Sequence, residues 1–147
     1  MSNAAERSEK AQALLASRRF GALCTQSKRL PGFPFGSVVN YAVDEWGRPV
    51  FLFSSLAVHM KNLQEDGRAS FLVFSPEAEQ DAVTAARLTL IGEVTAVPED
   101  EIETIKAIYL AKHPDAVEYA EFGDFGFFRF HAADSYYVGG FGEMGWL

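Results

Sequence analysis

The partly alternating run Gly36-Ser-Val-Val-Asn-Tyr-Ala-Val43 meets turn residues Asp44-Glu-Trp-Gly-Arg-Pro49 and then a second apolar run, Val50-Phe-Leu-Phe53. A connection this short predicts two antiparallel strands joined as a hairpin, because parallel neighbours need a crossover of a dozen residues or more. The chain is therefore organised around an antiparallel sheet.

The rest of the sequence extends that sheet. Ala5 to Arg19 are helix formers with Ala11, Leu14 and Leu15 at helical spacing, and Gly21 lies near the expected stop. Phe20 to Thr25 reads as a first strand, followed by a basic, Pro/Gly-punctuated loop from Gln26 to Pro34. Ser54 and Ser55 offer an N-cap to a short helix, Leu56 to Asp66, with Leu56, Met60 and Leu63 on one face and Gly67 as its left-handed stop. Ala69 to Phe74 is a strand, and Ser75 to Thr84 a polar, mobile loop.

Arg87 to Val97 alternates over a length able to cross a barrel, with Gly92 marking a bulge or bend. Pro98 opens a helix that is acidic at Glu99, Asp100 and Glu101 and basic at Lys106 and Lys112, both suited to the helix dipole. A second short helix is expected from Pro114 to Glu121, and final strands over Phe125 to His131 and Ser135 to Val138. Six or seven strands with helices inserted between them predict an α+β fold, a mostly antiparallel, closed or half-closed barrel. A doubly wound sheet would need regular strand–helix alternation, which is missing.

The 147 residues fit one domain, expected over 11–147 behind a flexible segment at 1–10. A net charge of −7 makes nucleic acid a poor partner, so any anionic ligand needs a local cluster of donors. Cys24 is the only cysteine, which excludes an intrachain disulfide and suits a reducing compartment. No apolar run reaches the ~20 residues of a membrane helix, and the N-terminus lacks the apolar core of a secretory signal. The expectation is a soluble, cytoplasmic protein with no membrane partner.

The richest stretch is Phe53-Ser-Ser-Leu-Ala-Val-His-Met-Lys-Asn62. Ser54 and Ser55 sit at a strand-to-helix junction, where free backbone N–H groups and the dipole favour an anion, and His59 and Lys61 add positive charge. These residues read as a phosphate pocket, or equally as a plain serine cap with a solvated His and Lys. Ser37, Asn40 and Arg87 form a second polar group, since Asn40 interrupts an apolar strand and Arg87 begins the long one. Tyr136-Tyr-Val-Gly-Gly-Phe-Gly142 joins rings to backbone open to close approach. His59, His113 and His131 are scattered, so no metal site is expected, and no catalytic residue is assigned.

In this order the motifs resemble the pyridoxamine 5′-phosphate oxidase-like, FMN-binding split barrels, closest to their haem-utilisation branch. The residues carrying the likeness are the Gly36 to Ala42 strand, the Asp44 to Pro49 turn, Ser54-Ser-Leu-Ala-Val-His-Met-Lys-Asn-Leu63, Asp66-Gly-Arg-Ala-Ser-Phe-Leu-Val73, the Arg87 strand and Tyr136 to Gly142. The resemblance implies FMN as cofactor in a homodimer, with Ser37, Val38 and Asn40 along the flavin. It implies Phe53, Ser54, Ser55, His59, Lys61 and Asn62 at the phosphate, Arg87 facing the ring, and Tyr137 approaching from the second subunit. The Arg-x-His element of true pyridoxamine phosphate oxidases has no counterpart in Phe141 to Trp146. The first expectation is thus an FMN-dependent oxidoreductase acting on a small molecule. The alternatives are a haem-binding or haem-degrading protein on the same barrel, and a non-enzymatic dimer that has lost its cofactor.

Overall fold

The structure is a computed structural model that describes residues 3–147. Helix α1 spans Ala4–Ser17, so it begins inside the segment expected to be flexible; Met1 and Ser2 lie outside the described residues. Asn3 caps it, its side chain accepting from the Glu6 N–H at 2.8 Å. Strands β1 (Phe20–Gln26), β2 (Pro34–Asn40), β3 (Ala42–Val43) and β4 (Pro49–Ser54) follow, then α2 (Val58–Glu65). Next come β5 (Arg68–Phe74), β6 (Arg87–Ala96), α3 (Ile102–Lys112), β7 (Phe125–Gly140) and β8 (Glu143–Trp146). Short 3₁₀ turns occupy Pro76–Glu79, Glu99–Glu101 and Pro114–Glu118.

All strand pairs are antiparallel, in the order β2-β1-β5-β6-β7-β4-β3, with β8 also on β7. The curled sheet with its helices is the α+β split barrel expected from the sequence. The long β7 holds it together: it pairs with β6 along most of its length, with β4 near its start and with β8 near its end. The two separate last strands expected from the sequence are this one strand.

The expected hairpin is mostly dissolved. Only Ala42 and Val43 pair with β4, while Pro34 to Asn40 pair with β1. The break lies at Tyr41, which is fully buried; its N–H donates to the Arg19 carbonyl at 3.1 Å and its hydroxyl to the Leu15 carbonyl. The Tyr41 carbonyl accepts from His113 Nε2 at 2.6 Å. Tyr41 thus leaves the ladder with its backbone groups satisfied by Arg19, after α1, and by His113, after α3, so that one run of sequence serves two edges of the sheet.

Strand alternation builds two apolar cores. Leu23, Phe71, Phe51, Phe53 and Phe130 meet Ala11 and Leu15 of α1 in the larger one. There Phe71 takes edge-on contacts from Tyr41 and Phe51, with centroids 5.1 and 5.2 Å away. Val50 and Leu52 point to the other face of β4, where Ile105 and Tyr109 of α3 and Phe127 of β7 close the smaller core. β4 is therefore buried on both faces. Gly92 does mark a bulge, at the register shift between Ile91 and Gly92; a Cβ there would lie 1.9 Å from the His131 carbonyl oxygen, so only glycine fits.

Candidate functional site

A cleft of about 340 Å³ opens between the end of β2, the end of β4, the start of α2 and the segment leading into β7. Its lining includes Val38, Asn40, Phe53, Ser54, His59, Tyr109, Tyr119 and Phe125. The size lies within the range of small-molecule sites. Phe53 is the fixed wall: its ring stacks on Phe51 and Phe128, with centroids 4.9 and 5.6 Å apart. The His59 imidazole meets the Phe53 ring at 4.6 Å in an edge-on arrangement.

His59 is the chemically unusual group in this cleft. Its Nε2 is shut off from water and has no hydrogen-bond partner among the described residues. Burial pushes the imidazole pKa down, so the ring is held in its neutral form. A buried nitrogen without a partner forfeits a hydrogen bond it made to water in the unfolded chain, which is the kind of local cost that functional sites retain.

Of the residues singled out in the sequence, the fold brings Val38, Asn40, Phe53, Ser54 and His59 together at this cleft. Ser55 follows at its rim, its N–H donating to the Asp124 carbonyl at 2.7 Å. Neither serine caps α2, whose N-cap is Ala57; Ser54 Oγ instead accepts from the Leu56 N–H and donates to Asp124. Nor does Gly67 terminate the helix in a left-handed conformation, since the C-cap is Asp66 in extended geometry.

The other five residues lie off the cleft lining. Ser37 is half-buried and pairs with Leu23, and Lys61 is exposed on α2. Asn62 is buried between α2 and β1, its Oδ1 accepting from the Lys28 N–H at 2.9 Å and its Nδ2 donating to Thr25 Oγ1 at 3.0 Å. Arg87 Nη1 donates to the carbonyls of Ala82, Val83 and Ala85, clamping the loop expected to be mobile. Tyr137 is packed in the larger core.

Sequence reasoning missed the far wall of the cleft. Tyr119 was assigned to a short helix and Phe125 to a strand start, with Phe122 between them in neither, although an aromatic every third residue was the available signal. It also missed a buried ionic knot on a second groove. Asp44 accepts there from the N–H groups of Trp46 and Arg48, from Arg48 Nε and from Arg129 Nε, while Arg129 also reaches Glu101. His131 lines this groove and pairs with Thr95 Oγ1 at 2.8 Å.

Comparison with known proteins supplies the context. Over 120 residues the chain is 38% identical to the chloroplastic protein of Arabidopsis thaliana named noncanonical haem oxygenase HOZ, covering 82% of this chain and 36% of that one. A structure of a haem-binding protein from Mycobacterium smegmatis superposes with a TM-score of 0.87 at 31% identity, covering all of this chain and 59% of its own. The chain thus spans about a third of the curated relative and under two thirds of the mycobacterial protein. HutZ, the haem storage protein of Vibrio cholerae, matches with a TM-score of 0.72 at 19% identity over 96% of this chain and 92% of its own, a likeness of fold alone.

These findings overturn the expectation of FMN as cofactor and of an FMN-dependent oxidoreductase, because the relatives similar enough to inform function are named for haem. The geometry gives a physical reason. A phosphate cradle needs converging donors, yet Lys61 lies off the cleft, the Asn62 amide is occupied by Thr25 and Lys28, and the Arg87 guanidinium is turned to three carbonyls. The sequence pattern described as CREG, beta-barrel matches residues 2–147. On that match over almost its whole length, the chain belongs to the CREG β-barrel family.

Proposed function

We propose that this protein binds haem in the cleft beside His59, with the His59 imidazole as the protein's ligand to the iron, and that it serves haem breakdown. The observation that carries the reading is the Nε2 of His59, a neutral imidazole nitrogen lacking a partner in an aromatic cleft. The donor set suits the group: haem takes a single neutral imidazole as a proximal ligand, and its faces pack against aromatic and aliphatic side chains. The names of the Arabidopsis and mycobacterial relatives support the same choice. When bound, haem supplies the iron-centred oxygen chemistry, and this chain supplies the surroundings.

Those surroundings follow from the residues. Phe53, anchored between Phe51 and Phe128, fixes the wall against which the His59 ring rests. Tyr109, Tyr119 and Phe125 keep the cleft apolar, which excludes water and favours a flat hydrophobic ligand. To reach a ligand, the shielded imidazole must turn toward the cleft.

A homodimer is part of the proposal. Val38, Leu56, Val58 and Phe122 stand exposed on the strand, turn, helix and loop around the cleft, Val38 with 77% of its surface in solvent. A second copy of the chain is the occupant that would cover them. Light scattering of the purified chain is expected to give twice the chain mass.

Titration of ferric haem into the protein tests the function, with formation of a Soret band as the expected result. Addition of ascorbate as reductant in air should then bleach the band over minutes, as oxygen and electrons open the macrocycle. Free-haem spectra at every ratio would reject the reading. A stable band under ascorbate would confine the role to binding.

A further inference from the structure

We propose that the hydrogen bond between Ser54 and Asp124 is a latch that holds the aromatic segment 119–125 across the cleft and sets the rate at which anything reaches His59. The proposal rests on the reading of the cleft given above, in which His59 is the group a ligand must meet.

The segment is built like a flap. Residues 119–124 lie between the 3₁₀ turn and β7 as a series of turns outside the sheet ladder, with local N–H bonds from Phe122 to the Tyr119 carbonyl and from Phe125 to the Phe122 carbonyl. Its rings pack on one another, Tyr119 on Phe125 at 4.9 Å and Phe122 on Phe125 at 6.3 Å. Tyr119 and Phe125 line the cleft together with His59.

Beyond the pairing of Phe125 with Ser54 in the sheet ladder, the flap is tied on two sides. An ion pair between Lys106 and Glu121 fastens it to α3. On the other side, Ser54 Oγ donates to Asp124 Oδ2 at 2.9 Å, and the Ser55 N–H donates to the Asp124 carbonyl. Ser54 is the last residue of β4, four positions before α2 begins, so this tie joins the flap to the wall that carries Phe53 and His59. Ser54 Oγ also accepts from the Leu56 N–H, which fixes the hydroxyl toward Asp124.

Tyr119 and Phe125 share the cleft lining with His59, so the position of this segment governs how a molecule in the cleft reaches the imidazole. Loosening one tie of this turn segment, whose Tyr119, Ala120 and Phe125 also rest on the smaller core, opens it locally without unfolding the sheet. Ser54 and Asp124 are therefore positioning residues, acting on access to His59 and not on its chemistry.

Diethyl pyrocarbonate labelling of the intact, haem-free chain, read histidine by histidine by peptide mass mapping, tests the latch. In the unsubstituted protein, exposed His131 should label fast, and buried His113 and half-buried His59, whose Nε2 is enclosed, slowly. Ser54→Ala and Asp124→Ala are each expected to raise the His59 rate about tenfold, the worth of one charge-assisted hydrogen bond, with His113 and His131 unchanged. An unchanged His59 rate in both variants would overturn the proposal, as would a joint rise at His59 and His113, which reports general loosening. Haem association is followed in parallel. Faster His59 labelling in variants that never bind haem upholds the latch and removes the haem reading. Haem binding with labelling unaltered does the reverse.

Discussion

Arg129 Nε donates to Asp44 Oδ2 at 3.0 Å, with no more than 3% of either side chain exposed. This contact ties the turn before β4 to the early part of β7, and the Arg129–Glu101 bond at 2.8 Å carries the tie on to the start of α3. Three elements that bound the smaller core are thus held by one guanidinium. Breaking a buried pair leaves a charge uncompensated, so Arg129→Met is expected to destabilise the fold by about 3 kcal/mol. Urea unfolding, with the shift in midpoint at constant slope, measures it.

The same carboxylate makes stability depend on acid. Burial alone would push the Asp44 pKa up, but the N–H donors of Arg48 and Trp46 and the Arg48 guanidinium overcome burial and hold it below the ordinary carboxylate value. The unfolded chain therefore takes up the proton first as pH falls. The contribution of Asp44 is fully present above its unfolded pKa of about 3.9 and is lost as pH drops through the lower folded value. Asp44→Asn should lower stability at neutral pH and flatten the decline below pH 4. Thermal melts across pH 2.5 to 7 provide the comparison.

Asn62 and His59 are three residues apart on α2 but are expected to fail in different ways. Asn62 is 2% exposed and joins α2 to Thr25 and to the Lys28 backbone. Asn62→Ala removes both bonds and strands the Lys28 N–H, at a cost of about 2 kcal/mol. Hydrogen exchange over residues 26–33 should speed up, while haem affinity stays within about twofold once the protein is folded.

The sheet was legible because period-two apolar runs and turn residues are local signals, and so was the bulge at Gly92, where a side chain would strike the next strand. The division of the Gly36 to Val43 run was not. It depends on Tyr41 finding partners at Leu15, Arg19 and His113, up to 72 positions away in the chain. Strand β8 was hidden because Glu143 to Trp146 is short and polar at its start, and is held by pairing with β7. At the candidate site, Phe53, Ser54 and His59 could be found because they share one stretch of sequence. Asp124 could not, since nothing local distinguishes it from a surface turn residue before its bond to Ser54 is seen. The ligand was misassigned for a related reason: hydroxyl and basic residues at a strand–helix junction suggested phosphate, whereas folding separates the cations from the cleft.

The central claim is that the orphaned imidazole of His59 is the protein's hold on haem, and a Soret titration of three proteins tests it most directly. The unsubstituted chain and His131→Ala should give the same band and affinity, because His131 is engaged with Thr95 outside the cleft. His59→Ala should lose the ligated band and at least about tenfold in affinity while melting at a similar temperature. An undiminished band in His59→Ala, or one abolished by His131→Ala instead, would contradict the account.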